Sequence, residues 1–275
     1  MQRNSFLGWL AAKRDSFPGT LVVALVLCVA CSVIVSSAAV LLRPLQEANK
    51  KLDQQRNVLL AAGVDVESMT MQEVEEFFAD DTKVRRVLVD LSTGIPVDEE
   101  STGIDPTVYD PKRAAKSSAL SQPVMTDGPT TGIARREKYA FVYQILKDGQ
   151  LDLHILPIYG KGLWSTLYGF LALDNDTRTV RGITFYEHKE TPGLGGEVDN
   201  QDWKDKWPNK QVFDEAWNVD FRIIKGQVNP DATHANHEVD GLSGATITSR
   251  GVSNSVQYWL GADGFGKYLE KQRPE

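Results

Sequence analysis

Cysteine is nearly absent: 2 of 275 residues, too few for a disulfide framework. Both, Cys28 and Cys31, lie inside the most apolar run and say nothing about redox compartment. Their spacing would let them share a metal or cluster with other chains, but buried, inert small hydrophobes are the expected role. An excess of positive charge is missing as well. The net charge of −7 argues against the basic stripe of a nucleic-acid-binding surface. Histidine is scarce, at 4, and the only close pair, His234 and His237, falls in a stretch read as a loop. No metal site is expected there. His188, beside Lys189 and Glu190, lacks a histidine neighbour and is read as a satisfied loop side chain. No strand runs into G-x-G-x-x-G and no G-x-x-x-x-G-K-[ST] occurs, which argues against a nucleoside triphosphate site.

What is present begins with Leu21 to Leu42, a run without charge and rich in Val, Leu and Ala. As a helix it is about 33 Å long, enough for the ~30 Å hydrocarbon core of a bilayer. A cleaved signal peptide would have an apolar stretch of only about 7–15 residues, so an uncleaved single-span anchor is expected. Arg3, Lys13 and Arg14 precede the run, while Arg43, Lys50, Lys51 and Arg56 follow it. That balance does not decide which side of the membrane receives the rest of the chain.

Pro44 is expected to end or kink the span. Leu45, Leu52 and Leu59 recur every seven residues and predict an amphipathic helix closing near Gly63. Thr70-Met-Gln-Glu73 reads as a capping box for a helix through Phe77-Phe78. Val84 to Leu91 reads as a strand, and Ser92 to Gly132, rich in Gly, Pro, Asp and Ser, as a long loop or insertion. Tyr139–Lys147 and Gln150–Ile158 flank Asp148-Gly149, a dipeptide that favours a two-residue type I′ hairpin. Thr166–Leu173 and Thr179–Glu187 continue the meander, and helices follow. Asp199-Asn-Gln-Asp-Trp203 and Trp207 look like a helix cap and the apolar face behind it. The fold class is therefore α+β, with an antiparallel sheet and helices after one transmembrane helix.

The stretch Asp240-Gly-Leu-Ser-Gly-Ala-Thr-Ile-Thr-Ser249 leads into the apolar-periodic residues Val252, Val256, Tyr258, Trp259 and Leu260. This is a glycine turn entering a helix, whose first amides and positive dipole end suit a phosphate. A Ser/Thr cap on an ordinary helix is the bland alternative, which would leave a membrane-anchored interaction module without redox chemistry. A hydrolase using Ser243 or Thr246 as nucleophile has no histidine–carboxylate partner placed nearby in sequence.

Ser243-Gly244-Ala245-Thr246 after Asp240 resembles the flavinylation motif of the FMN-binding domain family. Three more segments resemble that family in the same order. They are Gly160-Lys-Gly-Leu-Trp-Ser165 with Tyr168-Gly169, then His188-Lys-Glu-Thr-Pro-Gly-Leu-Gly195, then Phe221-Arg-Ile-Ile-Lys-Gly226, read as a strand. Together they span roughly Tyr139 to Leu260. The resemblance implies FMN bound covalently through a phosphoester to Thr246, with Thr248 as the rival acceptor. It places Ser243, Gly244, Ala245, Trp164, Glu190, Thr191, Gly193, Leu194 and Gly195 around the cofactor. Trp164, Leu194 and Ile247 are expected as walls, although core packing is an equal reading for Trp164. The amides of Gly193-Leu-Gly-Gly196 are expected to approach the ring, and Lys225 or Arg250 to offset the phosphodiester charge.

An anchor, an intervening region and a C-terminal FMN-binding domain together resemble the C subunits of Na+-translocating NADH:quinone reductases. The paralogous G subunits of Rnf-type ferredoxin:NAD+ complexes are the nearest rival. The resemblance implies an electron relay within a complex of six subunits in a bacterial inner membrane, with the flavin domain periplasmic and FMN attached by a flavin transferase. Electrons would arrive from an NADH-oxidising subunit through iron–sulfur centres and leave toward a membrane flavin subunit and quinone. The implied organisation is a cytoplasmic stub and anchor over 1–44, a membrane-proximal region over 45–137, the FMN-binding domain over 138–262 and a tail over 263–275.

Overall fold

A computed structural model describes residues 16–66, 68–124 and 130–274. The charges Arg3, Lys13 and Arg14 lie outside the described residues. The chain divides into two compact units, Met1–Lys51 and Leu52–Glu275.

Helix α1, Phe17–Ala61, is 45 residues long and contains Pro44. The proline was expected to end or kink the helix, yet helix continues on both sides of it. Proline cannot donate to the carbonyl four residues back, and the hydrogen bonds on either side carry the helix across that one gap. Among the described residues this is the one helix long and apolar enough to cross a membrane, and none of its apolar window is buried within the chain. Cys28 and Cys31 are free and exposed on it, not buried as expected.

The second unit is built on a sheet. Its strands are β1 (Val84–Asp90), β2 (Ile95–Pro96), β3 (Ser121–Pro123), β4 (Arg135–Glu137), β5 (Tyr139–Lys147), β6 (Gln150–Lys161), β7 (Thr166–Asp174) and β8 (Val180–Glu187). Six of them form one antiparallel sheet in the order β2-β1-β5-β6-β7-β8, while β3 and β4 pair with each other. Asp148 and Gly149 both have positive φ, 53° and 78°, and join Lys147 to Gln150 as the predicted type I′ hairpin. β1 pairs with β5 over seven residues, so the region before Tyr139 is built into the same sheet. Ser92–Gly132, expected as a long loop or insertion, holds β2, β3 and two one-turn helices, Glu99–Thr102 and Pro111–Ala114, each capped by an aspartate.

Side chains alternate across the sheet with period two, and both faces are covered. On one face Ile145, Leu153, Ile155, Phe170 and Ala172 meet Leu52, Val58, Leu59 and Ala61 from the last turns of α1, together with Val74 of α2 (Met71–Ala79). The capping box of α2 forms as predicted: Thr70 accepts from the Glu73 amide and Glu73 accepts from the Thr70 amide. The end of α1 lies directly on β8. A Cβ at Gly182 would stand 2.6 Å from the Ala61 carbonyl, and Thr184 donates to the Asn57 carbonyl at 3.0 Å.

The opposite face carries Val142, Leu156, Ile158, Leu171 and Leu173 against helix α3 (Thr246–Leu260) and helix α4 (Gly266–Gln272). Trp259 of α3 is fully buried, donates from Nε1 to the Tyr159 carbonyl at 2.8 Å and packs against the rings of Tyr159 and Phe265. Tyr268 and Leu269 of α4 are buried too, so residues beyond 262 belong to this core. The segment Phe221–Gly226, expected as a strand, is strand only at β9 (Arg222–Ile223), which pairs in parallel with β10 (Glu238–Val239). A two-residue partner supports no longer ladder.

Candidate flavin site

α3 delivers Thr246 to the site, and small residues set how closely it approaches the sheet. A Cβ at Gly251 would stand 2.2 Å from the Lys161 carbonyl, and one at Gly160 would stand closer still to the Ser255 hydroxyl. The helix therefore crosses the end of β6 in near-backbone contact. A glycine inside a predicted helix is the sequence signal for such an approach, and the expectations above made no use of it.

The N-terminus of α3 is uncapped. Its N-cap is Ala245, and among the described residues no side chain accepts from the first-turn amides. The Ser/Thr cap of the bland alternative is absent: the Ser249 hydroxyl accepts from the Leu242 amide instead, holding the preceding turn. Gly244 has φ +72°, which permits the sharp entry. Thr246, the first helical residue, is exposed, whereas Thr248 is 1% exposed with its hydroxyl donated to Glu190 at 2.7 Å. Of the two candidate acceptors, only Thr246 is open to solvent.

Two clefts meet at Gly244 and Thr246. One, about 250 Å³, is lined by Leu163, Trp164, Glu190, Thr191, Leu194, Gly195, Ala245, Ile247 and Thr248 besides those two. The other, about 560 Å³, is lined on its far side by Trp203, Lys206, Lys225 and Asp240, with Ser243 at the junction. A third, smaller hollow brings Arg250 beside Lys225 and Thr246. Trp164 is 70% exposed, so it is not core packing, and Leu163, Leu194 and Ile247 are exposed beside it. Leu163 was not among the expected residues, although it adjoins Trp164 in the same turn.

The Thr191–Leu194 turn has Pro192 at its second position and Gly193, φ +76°, at its third, the type II pattern. Its amides are less available than expected. Those of Leu194 and Gly196 both donate to the Thr191 carbonyl, at 3.1 and 2.9 Å, so they serve the turn's own closure. His188 is satisfied, as expected: Nε2 meets Asp199 at 2.8 Å and Nδ1 accepts from the Glu190 amide at 3.2 Å. The Asp199 hydrogen bond raises its pKa above the usual imidazole value. Asn200 caps the one-turn helix Gln201–Lys204, and Trp203 and Trp207 are buried behind it. The His234 and His237 rings are 6.5 Å apart, and no group of three metal-ligating side chains occurs among the described residues. Asp240 ties the segment before the motif together, accepting from Lys206 Nζ at 2.6 Å and from the Val228 amide at 2.8 Å.

Residues 162–261 match the FMN-binding domain family. The chain is 48% identical over 262 residues to the C subunit of the Na(+)-translocating NADH-quinone reductase of Pseudomonas aeruginosa, a match covering 95% of this chain and 98% of that one. It belongs to this family of C subunits. The Yersinia pestis member is 44% identical over 262 residues, 95% of each chain. Among solved structures, that of Shewanella oneidensis NqrC superposes with a TM-score of 0.73 at 34% identity, covering 82% of this chain and 98% of that one.

The residues present fit an FMN. An uncapped helix N-terminus provides amides and a positive dipole end for a phosphate. Leu163, Trp164, Leu194 and Ile247 form an exposed apolar group beside it, the kind of surface that a flat apolar ring would cover. Lys225 and Arg250 supply positive charge in clefts that Thr246 also lines.

Proposed function

We propose that this chain is an electron relay of a membrane Na+-pumping NADH:quinone oxidoreductase and carries FMN as a phosphoester of Thr246. One observation carries the attachment site: an exposed threonine is the first residue of an uncapped 15-residue helix, at the junction of two clefts. When bound, FMN supplies one-electron transfer at an isoalloxazine ring. The chain supplies the rest. First-turn amides of α3, with Lys225 and Arg250, offset the single negative charge of a phosphodiester. Leu163, Trp164, Leu194 and Ile247 exclude water from the ring. Glu190, which lines the smaller cleft, and His188, two residues before it, are both committed to hydrogen bonds within the chain, which suits a relay better than substrate turnover.

The named relatives are subunits of a Na+-translocating NADH-quinone reductase. We assign this chain the same place among six subunits, with the flavin domain periplasmic and FMN installed by a flavin transferase. Residues 1–44 serve as the anchor and 138–262 as the cofactor domain, with 45–137 completing its sheet and α4 beyond 262 its core. A covalent tether suits an extracytoplasmic cofactor, because rebinding becomes intramolecular at an effective concentration of about millimolar.

Fragmentation mass spectrometry of the protein purified from its own membranes tests this reading. The expected result is one FMN-phosphoryl addition localised to Thr246 and none on Thr248. An unmodified Thr246 in cells with an active transferase would overturn it.

A further inference from the structure

Glu190 is buried, 5% exposed, at the edge of the smaller cleft. Its carboxylate gathers an unusual set of donors. Oε1 accepts from the amides of Trp164 at 2.9 Å and Ser165 at 3.1 Å, with the Ser165 hydroxyl at 3.4 Å. Oε2 accepts from the Leu163 amide at 3.1 Å and the Thr248 hydroxyl at 2.7 Å. Three successive amides thus form a nest around one carboxylate, and a donor from α3 reaches it as well. Two glycines leave room for it: a Cβ at Gly162 would lie 2.7 Å from Oε1, and one at Gly195 would lie 2.7 Å from Oε2.

An ionised carboxylate offers about four lone-pair sites, and these donors fill them. Glu190 therefore has no acceptor left for a ligand N–H, and its place beside the cofactor is not that of a hydrogen-bonding contact. Its charge nevertheless persists. Burial alone would raise the pKa, but the Thr248 hydroxyl and the amides of Trp164, Leu163 and Ser165 outweigh it and hold the group below the ordinary carboxylate range. Among the described residues every hydrogen-bond partner of the carboxylate is a neutral dipole.

We propose that Glu190 is a positioning residue: an ionised strap that holds the Leu163–Ser165 wall to α3 two residues beyond Thr246, and whose fixed charge makes reduction of a flavin in the cleft less favourable. This rests on the flavin reading above. Adding an electron to the bound group places a second negative charge near the first, in a site partly shielded from water, where Coulomb repulsion is weakly screened. Glu190→Gln removes the charge and also one acceptor, since the amide nitrogen would face N–H donors.

The test uses the full chain and two readouts. In a flavin-free Thr246→Val background, amide hydrogen exchange is followed at residues 162–166. Glu190→Gln is expected to speed exchange at Leu163, Trp164 and Ser165 about tenfold or more, the equivalent of one charge-assisted hydrogen bond. In the flavin-loaded chain, Glu190→Gln is expected to shift the midpoint potential in the positive direction. Thr248→Val loosens the strap but keeps the charge, so it should speed exchange without raising the potential, and it serves as the second variant should Glu190→Gln fail to fold. Unchanged exchange in both variants overturns the strap. A potential that fails to rise in loaded Glu190→Gln, or rises equally in Thr248→Val, overturns the role of the charge. Absence of flavin from the parent chain would instead defeat the functional reading, and the exchange experiment would still judge the strap.

Discussion

Thr246→Val should yield a chain that folds as the parent does and leaves its membranes with no covalently bound flavin. The side chain is exposed, caps nothing, and is replaced by a β-branched residue of similar shape, so the fold gives up no packing. Surface substitutions of this kind change stability by only about 0.5 kcal/mol. What is lost is the hydroxyl oxygen that would bond to phosphorus, and valine offers no substitute nucleophile. Thr248 cannot take over, because its oxygen is buried and committed to Glu190. Covalent flavin fluorescence on a denaturing gel, read beside the thermal transition of the same sample, checks both halves. Retention of covalent flavin would move the attachment elsewhere, and a collapsed transition would mean that Thr246 is structural after all.

The far end of the same helix should behave in the opposite way. Trp259→Ala removes a fully buried indole, the contacts with Tyr159 and Phe265, and the donor to the Tyr159 carbonyl. Truncating a buried tryptophan costs about 3–5 kcal/mol, a large share of the roughly 5–15 kcal/mol that holds a domain together. For a unit of this size that corresponds to a fall of about 6–20 °C in Tm, measurable by circular dichroism in detergent. A change of less than about 2 °C, well below the range expected, would show that α3 is held to the sheet by something other than Trp259.

These two residues also mark what can be read from sequence. Local chemistry was legible: Asp148-Gly149 made the hairpin, and Thr70 and Glu73 the capping box. In each case the deciding interactions lie within a few residues. Nonlocal outcomes were not legible. β1 reaches β5 across a long stretch of largely irregular chain, and its choice of partner depends on packing on both faces of the sheet. Pro44 carried a local penalty that the flanking helix overrode. Glu190 shows the same limit within the site. Its segment lines the smaller cleft, but the role proposed for it depends on three amides far earlier in the chain and on a hydroxyl 58 residues later. Gly251 was legible in principle, since a glycine inside a predicted helix asks what comes so close.

The seam between α1 and the sheet has a practical side for anyone who wants the water-soluble part alone. The apolar run ends at Leu42, but the helix does not, and from Leu52 onward its side chains are bricks in the wall behind β6 and β7. A scissile point or an expression start belongs between Arg43 and Lys51. Begun at Met71 instead, where a tidy new helix invites the cut, the fragment would bare the apolar face that Leu52, Val58, Leu59 and Ala61 cover, and it would aggregate for want of that one strip of helix.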